Sequence, residues 1–162
     1  MDRCKVGVIG CGDISRVYLH SLTQVFRNTQ VVAVSSRGGE SARRRAAEFD
    51  IPYAVSTEEL LAMEFDIVVI LTDPVSHFRL AEQALLAGKH TYVEKPLAAT
   101  TAEAAHLLTL AREKNLMLTC APDTLLGGGI QTCRKLIDNG LIGTPVASVG
   151  QTFNGGPESW HP

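Results

Sequence analysis

The stretch KVGVIGCGDIS, residues 5–15, decides the fold. Its apolar run Val6, Val8 and Ile9 reads as a strand, Gly10-Cys11-Gly12-Asp13-Ile14-Ser15 as a tight turn, and the apolar-periodic residues beyond as a helix. This is a G-x-G-x-x-G pattern with serine in the last place. The first glycine of such a turn supplies unusual dihedrals, and the second lets a diphosphate approach a backbone whose following helix offers free N–H groups. Gly10, Gly12, Asp13 and Ile14 are therefore candidate cofactor contacts. Ser15 departs from the Gly or Ala that close helix–strand packing favours, yet is small enough to serve. The pattern carries weight only between a strand and a helix, and both are expected here.

Working outward, residues 16–26 keep helical spacing through Val17, Leu19, Leu22, Val25 and Phe26, and residues 30–35 (QVVAVS) form a second short strand. In a dinucleotide site an acidic residue near the end of that strand holds the adenosine ribose and repels a 2′-phosphate. Here Ser35-Ser36-Arg37-Gly38-Gly39 stands instead. Ser36 and Arg37 become candidate contacts, and NADP is expected ahead of NAD, with NAD still possible. Arg43, Arg44 and Arg45 on the next helix read as a solvated face.

The alternation continues. Residues 40–49 read as a helix, 51–55 as a strand, and Ser56 with Glu58 and Glu59 as the start of a short helix. Residues 66–71 (DIVVIL) lack polar alternation, as a strand covered on both faces would. A helix over 78–87 is stopped by Gly88, and residues 90–93 form the next strand. Thr100 and Glu103 form a capping box that opens a helix to about Lys114, and 116–120 is a sixth strand. Strands and helices in strict turn predict an α/β fold with a doubly wound parallel sheet, a Rossmann-type dinucleotide-binding domain over residues 1–121. Residues 122–162 read as the incomplete start of a second, α+β domain. There Ile130, Cys133, Leu136 and Ile137 share a helix face, and 146–153 alternates like one further strand, whose pairing with a second copy is a route to a homo-oligomer. The chain is expected to be a piece of a longer protein.

Composition is that of an ordinary globular protein, 45% hydrophobic and 20% charged over 162 residues with a formal net charge of -2. No basic excess argues for nucleic acid or an anionic membrane, and no apolar run is long enough to span a bilayer. A cytoplasmic location is expected. Cys4, Cys11, Cys120 and Cys133 are scattered without a C-x-x-C pair, and read as buried small side chains with no metal site.

The glycine turn, the T-x-P-x-x-H segment from Thr72 to His77 and the run AGKHTYVEKPLA from Ala87 to Ala98 together resemble the glucose–fructose oxidoreductase, inositol dehydrogenase and MocA-like family. The resemblance implies a two-domain NAD(P)-dependent dehydrogenase acting on a sugar, polyol or related hydroxy compound. It makes Lys95 of Glu94-Lys95-Pro96 the catalytic candidate, and physical chemistry agrees. A lysine at a strand's C-terminal end, above the cofactor cleft, can hold a hydroxyl and accept or relay its proton. Glu94 is placed to orient it, and the family often has a cis peptide before the proline. Thr72, Pro74 and His77 are implied to line the nicotinamide ribose side, with capping or packing of the following helix an equal reading for His77. The family's usual asparagine in T-P-N-x-x-H is absent, and the proline has moved one place. Asp123 and Thr124 fall where the domain-linking segment passes the nicotinamide, while Trp160 and His161 read chiefly as surface positions. The family's second-domain histidine has no counterpart in this chain, so a non-catalytic NAD(P)-binding module is the alternative function.

Overall fold

A computed structural model describes residues 3–121, 123–151 and 153. The chain divides into two compact units, Met1–Pro122 and Asp123–Pro162. In the first, β1 (Cys4–Ile9), β2 (Thr29–Ser35), β3 (Tyr53–Val55), β4 (Ile67–Ile70), β5 (His90–Glu94) and β6 (Leu118–Ala121) build one sheet in the order β3-β2-β1-β4-β5-β6. Every neighbouring pair is parallel. Between the strands run α1 (Ser15–His20), which continues as a π-helical stretch Ser21–Val25, then α2 (Glu40–Glu48), α3 (Thr57–Ala62), α4 (Pro74–Leu86) and α5 (Thr101–Glu113). This is the Rossmann-type α/β fold.

Two cores show why the strands carry little polar alternation. Successive residues of a strand point to opposite faces. Ile9, Val68, Ile70 and Val93 pack with Leu60, Leu80, Leu85 and Leu107 of α3, α4 and α5. Val6, Val8, Val34, Val69 and Leu71 pack on the other face with Leu19 of α1 and Ala42 of α2. A sheet buried on both sides requires apolar residues at both parities.

Local chemistry sets the helix starts. Ser56 Oγ accepts from the Glu59 N–H at 3.1 Å, and Glu59 Oε2 accepts from the Ser56 N–H at 2.9 Å. Thr100 and Glu103 repeat this reciprocal box at the start of α5. Helix α4 begins at Pro74, four residues before the start expected at Phe78, because a proline at the first helical position has its φ preset and lacks only an N–H that the helix would leave unpaired. That earlier start carries His77 into the first helical turn.

The second unit contains a 3-10 turn, Asp123–Leu126, and α6 (Gly128–Asp138). The strand expected over 146–153 is not formed among the described residues, and Val146, Val149 and Phe153 are exposed. Alternation alone does not make a strand, since an extended segment needs a ladder partner for its N–H and C=O groups. Pro122, Thr152 and residues 154–162, with Trp160 and His161, lie outside the described residues. Among the described residues no helix is long and apolar enough to cross a membrane.

Candidate functional site

The chain runs from β1 outward to β3, then returns to β4 on the other side of β1. In open α/β sheets such a reversal leaves a crevice at the carboxyl ends of the strands, where ligands bind. Gly10 stitches that crevice together. Its N–H donates to the Ser35 carbonyl at 2.9 Å, its φ is 104°, and a Cβ placed on it would lie 2.6 Å from the Leu71 carbonyl carbon and oxygen. Only glycine fits there. Gly12 is different: a Cβ on it would meet nothing within 4 Å, so protein packing does not require a glycine at this position. Among the described residues the N–H groups of Cys11, Gly12, Asp13 and Ile14 donate to no backbone carbonyl. Several free N–H groups around an open concavity form a natural anion site.

A residue from α2 braces this turn. Arg45 Nε donates to Ser15 Oγ at 3.1 Å, Nη2 to the Gly12 carbonyl at 3.3 Å, and Nη1 to Glu48 Oε2 at 2.7 Å. Ser15 is fully buried, and its hydroxyl donates in turn to the Gly12 carbonyl. The expectation that Arg43, Arg44 and Arg45 form one solvated face is thus corrected for Arg45, which is 5% exposed. Its charge is tolerated because Glu48 and two oxygens of the turn satisfy it. The last place of the glycine pattern therefore contributes a hydrogen bond as well as small size.

The cleft beside the turn has a volume of about 500 Å³, and Gly10, Gly12, Ser36, Arg37, Thr72 and Asp73 all face it. Ser36 closes the loop that carries Arg37: its carbonyl accepts from the Gly39 N–H at 3.1 Å and its Oγ from the Ala42 N–H at 3.1 Å. Arg37 Nη2 lies 3.2 Å from Asp73 Oδ2, an exposed ion pair across the cleft. Desolvation pushes the Asp73 carboxyl up, but hydrogen bonding with Ser76 and the Arg37 charge outweigh it and hold the group below the ordinary aspartate value. Asp73 was not among the residues expected from sequence; the only signal was its place between Thr72 and the displaced Pro74.

The other expected residues fall at different depths. Pro74 opens α4. His77 is fully buried, with Nδ1 2.6 Å from the Pro96 carbonyl oxygen and Nε2 3.0 Å from that of Thr72. Of its two readings, packing matches this placement: the ring ties the loop after β4 to the loop after β5 and has no free nitrogen to offer a ligand. Glu94 ends β5 with both oxygens engaged, Oε1 by the Tyr18 hydroxyl at 2.9 Å and Oε2 by the Lys95 N–H at 2.7 Å. Burial and the bonds to Tyr92 and Glu94 push the Tyr18 phenol far up, so it remains a neutral donor. Lys95 is exposed, and the Lys95–Pro96 peptide is cis. Thr124 lies in the 3-10 turn of the second unit, as does Asp123.

The cysteine expectation holds for one of four. Cys11 is buried, with its thiol 3.4 Å from the Ser35 carbonyl, and burial, partly opposed by the Arg45 charge, pushes it up to about 11. Cys4 and Cys120 are half-buried and Cys133 is exposed.

Fold and glycine turn define a dinucleotide-binding protein of the Rossmann class. The family model described as the oxidoreductase family with an NAD-binding Rossmann fold, Gfo/Idh/MocA, matches residues 4–121, and the chain belongs to that family. It is 35% identical over 156 residues to dTDP-3,4-didehydro-2,6-dideoxy-alpha-D-glucose 3-reductase of Streptomyces violaceoruber, covering 96% of this chain and 45% of that enzyme. Inositol 2-dehydrogenase of Klebsiella pneumoniae is 31% identical over 147 residues, with 88% of this chain and 43% of that one covered. Among solved structures, a 3-ketoreductase from Actinomadura kijaniata in complex with NADP and TDP-benzene superposes with a TM-score of 0.80 at 31% identity, over 86% of this chain and 43% of the other. The chain thus spans less than half the length of these relatives.

Proposed function

We propose that this chain is the nucleotide-binding part of an NAD(P)-dependent oxidoreductase that transfers a hydride between a nicotinamide and a sugar, polyol or related hydroxy compound. The observation that carries this reading is the cleft at the carboxyl ends of β1, β2 and β4, faced by Gly10, Gly12, Ser36, Arg37 and Thr72. The relatives support the substrate class, since their names state reactions on a deoxysugar nucleotide and on inositol.

The residues present fit a dinucleotide. The open side of Gly12 leaves room for a diphosphate, with the N–H groups of Asp13 and Ile14 beside it as donors. Ser36 and Arg37 receive the adenosine ribose. With no carboxylate at the end of β2 and an arginine after it, a 2′-phosphate is accepted there, so NADP is the favoured cofactor and NAD the second choice. Thr72 lines the wall contributed by the loop after β4, which His77 holds from behind, and Pro74 opens the helix beyond it. When bound, the nicotinamide supplies the hydride acceptor or donor.

Lys95 is the catalytic residue of this reading. Its Nζ holds the substrate hydroxyl and moves the proton that leaves or joins that oxygen as the hydride is transferred. Glu94 fixes the lysine backbone through Oε2, and Tyr18 fixes Glu94 through Oε1.

Titration of the chain with NADPH and NADH, followed by nucleotide fluorescence and repeated with Arg37→Ala, tests the cofactor half. Tighter NADPH binding that disappears in the variant supports it, and absence of binding by either nucleotide overturns it.

A further inference from the structure

We propose that Asp73 is a specificity-determining residue, which competes with a ribose 2′-phosphate for Arg37 and so limits how strongly the cleft prefers the phosphorylated dinucleotide. This rests on the reading of the cleft as the dinucleotide site.

The two side chains come from sequence positions 36 apart, one after β2 and one before α4, and meet at 3.2 Å across a cleft that both line. They are not equal partners. Asp73 is short, stands directly before the proline that opens α4, and has both carboxylate oxygens within bonding distance of the Ser76 hydroxyl, at 3.0 and 3.1 Å. Arg37 is long, 86% exposed in its side chain, and held at its tip only by this ion pair among the described residues. The carboxylate is the fixed member and the guanidinium the member free to turn away.

A phosphate monoester bears about −1.5 to −2 charges at neutral pH and accepts two parallel hydrogen bonds from a guanidinium. It displaces a single carboxylate contact, but the displaced Asp73 stays in the same cleft wall, unpaired and of like charge. An exposed ion pair is weak, and the penalty is correspondingly modest, on the order of three- to tenfold in NADPH affinity. An unphosphorylated ribose places no demand on Arg37 and meets no such penalty.

Asp73→Asn tests this, because asparagine suits the residue before a helix and keeps an oxygen for Ser76 while losing the charge. Dissociation constants of the chain for NADPH and NADH are measured for the native sequence, D73N, R37A and the double variant, with Asp73→Ser as a second charge-removing variant. The expected result is NADPH binding at least threefold tighter in D73N and D73S, NADH binding changed less than twofold, and an effect of D73N under twofold once Arg37 is alanine. Equal gains for both nucleotides, no gain, or a gain that persists without Arg37 overturns the proposal while leaving the cofactor site standing. Failure of the native chain to bind either nucleotide overturns the cofactor site and the proposal together.

Discussion

Arg45 of α2 donates from Nε to the hydroxyl of Ser15, 30 residues earlier, at 3.1 Å beneath the glycine turn. The pair accounts for a serine where the glycine pattern prefers Gly or Ala: the hydroxyl accepts from the arginine and donates to the Gly12 carbonyl, so the turn is held from below by a group that never reaches the cleft surface. The two residues form one device, and their replacement has non-additive effects.

Ser15→Ala leaves a buried guanidinium donor unpaired and lowers stability by about 1–2 kcal/mol. Arg45→Met removes the bonds to Ser15, Gly12 and Glu48, with an expected loss of about 2 kcal/mol. Urea unfolding of the single and double variants is expected to show the double loss falling short of the sum by at least ~0.5 kcal/mol. Strict additivity would mean that the pair does not brace the turn.

The two glycines of the turn separate folding from binding. Gly10→Ala drives a methyl group into the Leu71 carbonyl at a positive φ, and is expected to lose more than ~2 kcal/mol of stability. Gly12→Ala meets no protein atom and leaves the unfolding transition within ~0.5 kcal/mol of the native chain. The same Gly12 variant is expected to bind NADPH and NADH at least ~10-fold more weakly, because the added methyl occupies the diphosphate approach. Unfolding curves read beside nucleotide titrations distinguish these outcomes; undiminished binding by Gly12→Ala would remove the diphosphate from the turn.

His77 joins two loops through its ring, and both volume and hydrogen bonds contribute. His77→Ala is expected to lower stability by about 3 kcal/mol through a cavity and the loss of the ring's N–H donor between the Pro96 and Thr72 carbonyls. His77→Phe refills the space without a donor, and thermal unfolding is expected to place it between the alanine variant and the native chain. A phenylalanine variant as stable as the native chain would show that the ring acts by packing alone.

Glu48 gives the turn a pH dependence. The hydrogen bond from Arg45 is the largest influence; burial opposes it, and the bond and charge of Arg16 add to it, so the Glu48 carboxyl sits below its ordinary value near 4.5. A carboxyl lowered by folding stabilises fully above its unfolded value, and that stabilisation is lost as pH falls through the folded one. Melting temperatures between pH 7 and pH 3 are therefore expected to fall more steeply below about pH 4.5 for the native chain than for Glu48→Gln. Parallel curves would remove Glu48 from the acid transition.

The sequence by itself determined the architecture and the family. The six strands, the alternation with helices, the capping box of Thr100 and Glu103 and the glycine turn are local patterns, made of short apolar runs, helical spacing and fixed offsets such as Thr100 to Glu103, and each is written within a window of a few residues. The run from Ala87 to Ala98 added the family in the same way. Tertiary structure decided what depends on partners far along the chain. Whether Arg45 faces water or the glycine turn depends on Ser15 and Gly12, 30 and 33 residues away, and the run Arg43-Arg44-Arg45 carries no mark that only its last member turns inward. Asp73 is an ordinary residue before a helix until β2 and β4 bring Arg37 within 3.2 Å, and His77 is a histidine in a motif until Pro96 and Thr72 close around it. The alternation over 146–153 shows the converse: among the described residues a local pattern of period 2 does not by itself produce a strand, because the hydrogen bonds that define one come from a neighbour.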